Sequence, residues 1–422
     1  MSKNNLISVN CFDTEIGILG LDEQKNKSFF QFNPQFLESG RYANLFPVKA
    51  IIKRRTQTQV FSNYNNECFR GLPPMFADSL PDTFGNIIFG KWLESRDNEI
   101  KKISPLEQLA YVGKRSMGAL EYLPAKVLPE AGSINLEEII SVLDMVLNQK
   151  ETVKHKNLNH ESLLNIFKIG SSAGGARPKI LISENKSSGV IIPGDLVYSE
   201  DHNHYLVKLF LDDPGYSPEL IEFSYYLTAT KLGINMMPSK MIDDKHFATL
   251  RFDRVDGKKK HVQTVSGISS WDFNNPDVST YENLFELSVH LNVPQKDIEE
   301  LYRRMIFNLI FSNRDDHLKN HSYIYNENKD SWRIAPAYDL SYSINPLLNF
   351  KKTTRALSIN NKRTNIQLAD LLKIADDYTI KHPQKIIEEC IDHIEFWKKK
   401  AEELGISEKI IQKILDDFTI PA

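Results

Sequence analysis

The stretch Asn313-Arg314-Asp315-Asp316-His317-Leu318-Lys319-Asn320 decides how this chain is read. It follows an amphipathic apolar run, Ile298 to Phe311, and leads into a short strand-like segment, Ser322 to Tyr325. The spacing from Asp315 to Asn320 is D-x-x-x-x-N, and His317 extends it to D-x-H-x-x-N. On a loop between packed elements this suits phosphoryl transfer. The aspartate takes or orients a hydroxyl proton, and the asparagine ligates a metal. A second acidic residue should follow to hold Mg²⁺. Asp339, in Ala335-Pro336-Ala337-Tyr338-Asp339-Leu340, stands at that place. Lys319 can offset charge on the transferred group. Read alone, the same residues make an ordinary polar loop. The Asp315-Asp316 pair also raises a question of assignment, and the spacings to His317 and Asn320 both favour Asp315.

Upstream lie two further pieces in the order that an ATP site needs. The stretch Gly170-Ser171-Ser172-Ala173-Gly174-Gly175-Ala176-Arg177-Pro178-Lys179 pairs glycines with cations. Glycines let backbone N–H groups approach a phosphate, and Arg177 or Lys179 could neutralise its charge. The spacing is neither that of a P-loop nor that of the protein-kinase glycine loop, and the stretch is equally a surface turn. In Tyr205-Leu206-Val207-Lys208-Leu209-Phe210, alternation puts Lys208 on the same face as Leu206. That lysine is either solvated or a phosphate ligand, with Glu222 on the next helix as a possible ion-pair partner. Arg251-Phe252-Asp253-Arg254 closes a strand where an adenine edge could meet the backbone, and its charges suit a structural ion pair equally well.

The 422 residues exceed one small core, so more than one domain is expected. The net charge of −3 gives no global reason to bind nucleic acid. Three widely spaced cysteines, Cys11, Cys68 and Cys390, make neither a disulfide framework nor a metal cluster, which points to a reducing cytoplasm. No run reaches the roughly 18 apolar residues of a membrane helix, and the polar start lacks a signal-peptide core. Patterning predicts a hairpin over Ile16 to Phe32 and helices over Pro105 to Val112, Ile134 to Leu147 and Glu161 to Ile169. It then predicts strands from Ile180 to Val265, interrupted by a helix over Pro218 to Leu232. Within that region a strand spans His246 to Val255, and Asp256-Gly257 marks a hairpin. From Tyr281 onward the pattern is helical, including one helix over Pro383 to Lys398. Lys150 to Asn159 is the best boundary.

In their joint order these residues resemble the HipA-type serine/threonine kinase toxins of bacterial type II toxin–antitoxin systems. The likeness is carried by the Gly170 to Lys179 stretch, Val207-Lys208, Arg251 to Arg254, Asn313 to Asn320 and Ala337 to Leu340. Gly71-Leu72-Pro73-Pro74, Asp78 to Asp82 and Gly118-Ala119-Leu120 resemble the N-terminal module of the same family. The resemblance implies an α+β, two-lobed protein-kinase-like fold. It would comprise a mixed α/β accessory module over 1–150, a nucleotide-binding lobe over 151–255 and an all-helical lobe over 256–422.

By matching position, Asp315 would be the catalytic base, and Asn320 and Asp339 would hold Mg²⁺. Lys208 would contact the ATP phosphates, which Gly174, Gly175, Ala176, Arg177, Pro178 and Lys179 would cradle. Leu250, Arg251 and Phe252 would lie at the adenine, with His317, Leu318, Lys319, Asn320 and Tyr338 lining the nucleotide site. The family implies autophosphorylation just before the glycine pair, at Ser172 or, as the alternative, Ser171. It also implies an aminoacyl-tRNA synthetase as target and a helix-turn-helix, HipB-like antitoxin that supplies the contact to operator DNA. Two rivals stand beside this reading. One is a small-molecule or phosphoinositide-type phosphotransferase, which shares D-x-H-x-x-N. The other is a catalytically dead, antitoxin-bound co-repressor. Arg314 and Asp316 make the loop more charged than the family pattern, and Asp339 lies further from Asn320 than in eukaryotic kinases.

Overall fold

A computed structural model describes residues 6–81, 85–87, 90, 103–125, 178–194, 199–211, 215–347 and 354–421. The helices expected over Ile134 to Leu147 and Glu161 to Ile169 lie outside these residues, as do Ser171, Ser172 and Gly174 to Arg177. The chain divides into two compact units. One holds Met1–Ala43, Lys49–Asp212 and Ala248–Val262; the other holds Asn44–Val48, Asp213–Phe247 and Gln263–Ala422.

The first unit contains an antiparallel five-stranded sheet. Leu6–Cys11 lies between Thr14–Asp22 and Leu120–Leu123, and Lys27–Phe32 and Gln59–Phe61 extend the sheet beyond Thr14–Asp22. Alternation shows along Leu6–Cys11: Ile7, Val9 and Cys11 are buried while Leu6 is exposed. The buried face packs on aromatic rings, with Phe30 4.9 Å from Phe32 and 4.8 Å from Phe76 between centroids. Gly17 is required here, because an added Cβ would collide with the Gln31 carbonyl and the Phe30 ring. The expected hairpin over Ile16 to Phe32 is present, with strands Thr14–Asp22 and Lys27–Phe32.

A second antiparallel group in this unit pairs Lys179–Asn185 with Ile191–Pro193 and with His202–Lys208. The strand expected over His246 to Val255 is broken in two, His246–Leu250 and Arg254–Val255. The cause is a buried charge node at the break. The Asp253 carboxylate accepts from Arg251 Nε at 2.9 Å, Arg254 Nη1 at 2.7 Å and Gly118 N at 2.8 Å. Arg254 also donates to the Ser116 and Gly118 carbonyls. Side chains that turn inward to meet one carboxylate cannot keep a strand's alternation. Beyond the node, Arg254–Val255 pairs with Lys258–Lys259 across Asp256-Gly257, whose φ values of 48° and 67° are those of a tight hairpin turn.

The second unit is helical, with Pro218–Lys231, Tyr281–His290, Gln295–Ile310, Leu368–Asp377, Pro383–Asp392, Ile394–Glu403 and Glu408–Leu415. Its core holds Tyr225, Phe307 and Trp397, with the Tyr225 ring edge-on to each of the others at 6.0 Å. Two details differ from expectation. The region departs from an all-helical lobe by an antiparallel hairpin, Ser322–Asn326 with Ser331–Ile334, whose first strand is the strand-like segment expected at Ser322 to Tyr325. The single helix expected over Pro383 to Lys398 is divided at His393, whose ring Nδ1 lies 2.7 Å from the Glu389 carbonyl. Among the described residues no helix is long and apolar enough to cross a membrane.

Candidate active site

Helix Gln295–Ile310 delivers the chain to the loop. Ser312, at φ 52°, turns left-handed and ends the helical path. Asn313, 2 % exposed, then acts as a hub. Its Nδ2 donates to Asn308 Oδ1 at 3.0 Å and to the Asp339 carbonyl at 3.3 Å, and its Oδ1 accepts from Asp315 N at 3.4 Å. One side chain therefore ties the helix, the loop and the downstream acidic segment together. Tyr338 adds a second tie, donating to the Lys319 carbonyl at 2.8 Å.

The two adjacent aspartates have opposite surroundings. Asp316 is 1 % exposed, and its carboxylate accepts from Tyr281 Oη at 2.7 Å, Arg355 Nη2 at 3.3 Å and Leu357 N at 3.5 Å. Burial and the nearby Asp316 charge push the Tyr281 phenol well up, so it stays a donor. Asp315 is exposed, and its backbone carbonyl accepts from His317 N at 2.8 Å and from Asn320 Nδ2 at 2.9 Å. Buried flanks with one exposed carboxylate present that carboxylate in a fixed place.

Asn320 closes the turn Leu318–Asn320 through Asn320 N to the His317 carbonyl at 2.8 Å. Its amide nitrogen faces the loop, so its amide oxygen is the remaining acceptor. Asp339 is half-buried at φ 54°, a left-handed conformation that Asp tolerates at modest cost. An amide oxygen and a carboxylate on two tied segments are hard donors of the kind Mg²⁺ takes, so the residues fit that ion. His317 packs on Phe273 at 5.0 Å between centroids, and Lys319 Nζ sits 5.2 Å from the same ring, a cation–π distance. Leu318 is wholly buried. Burial lowers His321 to about 4, which keeps that ring neutral at pH 7.

In the first unit, strand register sets Lys179 directly opposite Lys208, with exposures of 2 % and 9 %. Directly opposed residues of an antiparallel pair share a face, which brings the two side chains together. Pro178 is joined to the strand end, its carbonyl accepting from Leu209 N at 3.0 Å. Arg251 is buried in the Asp253 node, flanked by Leu250 and Phe252 of intermediate exposure. Sequence reasoning passed over Asp316 as a functional support, and also Tyr281, Asn308, Arg355 and Phe273. Only the doubled aspartate was a visible signal, because the partners of Asp316 come from distant parts of the chain.

The elements and the loop define a kinase-like α+β protein. A family model described as the HipA-like C-terminal domain matches residues 171–417, and one described as the HipA N-terminal domain matches residues 7–123. The chain belongs to the HipA family. A Shewanella oneidensis MR-1 structure, titled as the toxin–antitoxin system HipA, HipB and its operator DNA complex, superposes with a TM-score of 0.67. The match covers 97 % of this chain and 96 % of that one at 17 % identity, so the likeness is one of fold. A curated Sinorhizobium fredii protein named "Putative kinase Y4dM" is 22 % identical over 255 residues. That match covers 55 % of this chain and 60 % of the relative's length. A structure of the Helicobacter pylori proinflammatory kinase CtkA aligns at a TM-score of 0.37, too low to bear on the fold.

Proposed function

We propose that this chain is an ATP- and Mg²⁺-dependent serine/threonine-protein kinase that serves as the toxin of a type II toxin–antitoxin module. The observation that carries the reading is the presentation of Asp315. It is exposed on a loop whose hub, Asn313, is also bonded to the Asp339 segment, while Asp316 is buried and bonded behind it. In the proposed reaction Asp315 accepts or orients the proton of an attacking hydroxyl. Asn320 and Asp339 would hold the metal ion, which would supply positive charge to offset that of the phosphates. From the first unit the reading takes Lys208 and Lys179 as phosphate ligands, with Gly174 to Pro178 as the cradle and Leu250 to Phe252 at the adenine. His317, Leu318, Lys319 and Tyr338 line the nucleotide site. We keep 1–150 as accessory module, 151–255 as nucleotide-binding lobe and 256–422 as catalytic lobe.

The biological context rests on family membership. The related Shewanella structure holds a HipB antitoxin and operator DNA. A HipB-like helix-turn-helix partner that supplies the DNA contact also suits a net charge of −3. An aminoacyl-tRNA synthetase as protein substrate, action in the cytoplasm and autophosphorylation at Ser172 or Ser171 follow from the same membership. A phosphate there adds nearly two negative charges and would repel nucleotide.

Transfer from γ-labelled ATP tests the reading. Label is expected in protein, with phosphate on Ser172 or Ser171 by mass spectrometry. Asp315→Asn should lower the rate about 10²- to 10⁴-fold with an unchanged melting temperature, because the side chain is exposed. Label confined to small solutes, or full activity in that variant, overturns the proposal.

A further inference from the structure

The chain beyond helix Glu408–Leu415 returns to the back of the catalytic loop. Thr419 N donates to the Ile310 carbonyl at 3.0 Å, and the Phe418 ring lies 5.0 Å from Phe311 and 4.9 Å from Trp397. Between them Asp417 is 2 % exposed. Its backbone carbonyl accepts from Ser312 Oγ and from Arg314 Nη2, the latter at 3.4 Å. Its carboxylate accepts from Tyr342 Oη at 2.5 Å. These partners are the residues around the two functional segments. Ser312 and Arg314 lead into Asp315, and Tyr342 follows shortly after Asp339. A further bond, Arg314 N to Ser343 Oγ at 3.1 Å, joins the same two segments.

A buried carboxylate is costly unless its bonds are needed, and an apolar residue here would pack more cheaply. Burial lowers the Arg314 guanidinium while Asp417 opposes the fall, and burial with Asp417 raises the Tyr342 phenol. Both groups therefore sense this one carboxylate.

We propose that Asp417 is a positioning residue for phosphoryl transfer, acting through Arg314 and Tyr342 to hold the Asp315 loop against the Asp339 segment. The inference rests on the roles proposed above for Asp315 and Asp339. It assigns a part in the reaction to residues distant in sequence from both.

The test uses the full chain with Asp417→Asn, Tyr342→Phe and the double variant. Asp417→Asn preserves size and the backbone carbonyl, and Tyr342→Phe deletes one hydroxyl. Rates are taken per nucleotide-binding molecule, so that loss of folded protein does not count as loss of catalysis. Each single variant should lower kcat roughly tenfold, with little change in KM for ATP. The Mg²⁺ concentration for half-maximal rate should rise, because the Asp339 segment loses one of its anchors. The double variant should be no worse than the lower single variant, since both act on the same contact: Asp417→Asn removes its charge and Tyr342→Phe its donor. A purely structural role would lower the active fraction and leave the Mg²⁺ dependence unmoved. An active parent with unchanged kcat and Mg²⁺ dependence in Tyr342→Phe overturns the inference alone. That variant decides the question if Asp417→Asn fails to fold. A parent that transfers no phosphate overturns the functional reading and this inference with it.

Discussion

Two buried aspartates, one in each unit, meet arginine in different ways. Asp253 is saturated by charge: two guanidinium groups and a backbone N–H converge on it at 2.7–2.9 Å. Burial alone would raise its carboxyl, but Arg251 and Arg254 hold it well below the usual carboxylate range. Asp316 instead leans on a neutral tyrosine at 2.7 Å and has its single guanidinium at 3.3 Å. The first node fastens the Ser116–Gly118 turn to the Arg251–Arg254 segment within one unit. The second stands directly behind an exposed carboxylate. A fastening node gains from full charge pairing. A node behind an exposed carboxylate needs directed bonds that set where its neighbour points.

The sharpest way to break this contrast is to neutralise the fastening node. Asp253→Asn removes the carboxylate on which two buried guanidinium groups converge and should cost about 3–5 kcal/mol of stability, read by denaturant unfolding. A loss below about 1 kcal/mol would show that the node is not the fastening it resembles. Asp316→Asn should cost less, about 1–3 kcal/mol, because Asn still accepts from Tyr281. Its larger signature should be kinetic, a roughly tenfold fall in kcat from a displaced Asp315. Equal stability losses in the two variants, with no kinetic effect in Asp316→Asn, would erase the distinction.

The smallest effect concerns acid. His321 falls from an ordinary 6.5 to about 4, and His261 to about 3, in each case by burial. A folded pKa below the unfolded one means that the unfolded chain binds the proton first. Stability is therefore full above about pH 6.5 and declines as pH falls toward these lowered values. Asp253, also lowered in the folded state, adds its loss as pH falls through the usual carboxylate range and below it. Melting temperature should thus fall between pH 6.5 and 4.5, and His321→Gln should shallow that fall. A flat profile across the window would count against neutral burial of both rings.

Much of the fold was legible from local rules. Alternation marked the hairpin at Ile16 to Phe32, and Asp256-Gly257 marked the turn of a second one, between Arg254–Val255 and Lys258–Lys259. The helical periodicity of Ile298 to Phe311 led to the loop. The break at Arg251 to Asp253 was not legible, because its cause, the Ser116–Gly118 turn, is distant in sequence. Nor was the division at His393, where periodicity continues through a local turn in the backbone.

At the site the spacing pointed to Asp315, and the structure shows Asp315 exposed and Asp316 buried. Spacing acts along the chain, so the sequence by itself could set out Asp315, His317, Asn320 and Asp339 in order, and with them the family. Burial and directed bonds act through space. Only the tertiary structure brought Tyr281 and Arg355 to Asp316, Asn313 to the Asp339 carbonyl, and Asp417 to Tyr342. The physical reason is that a carboxylate's role depends on which donors surround it and whether water can reach it. Both are properties of packing between segments remote in sequence.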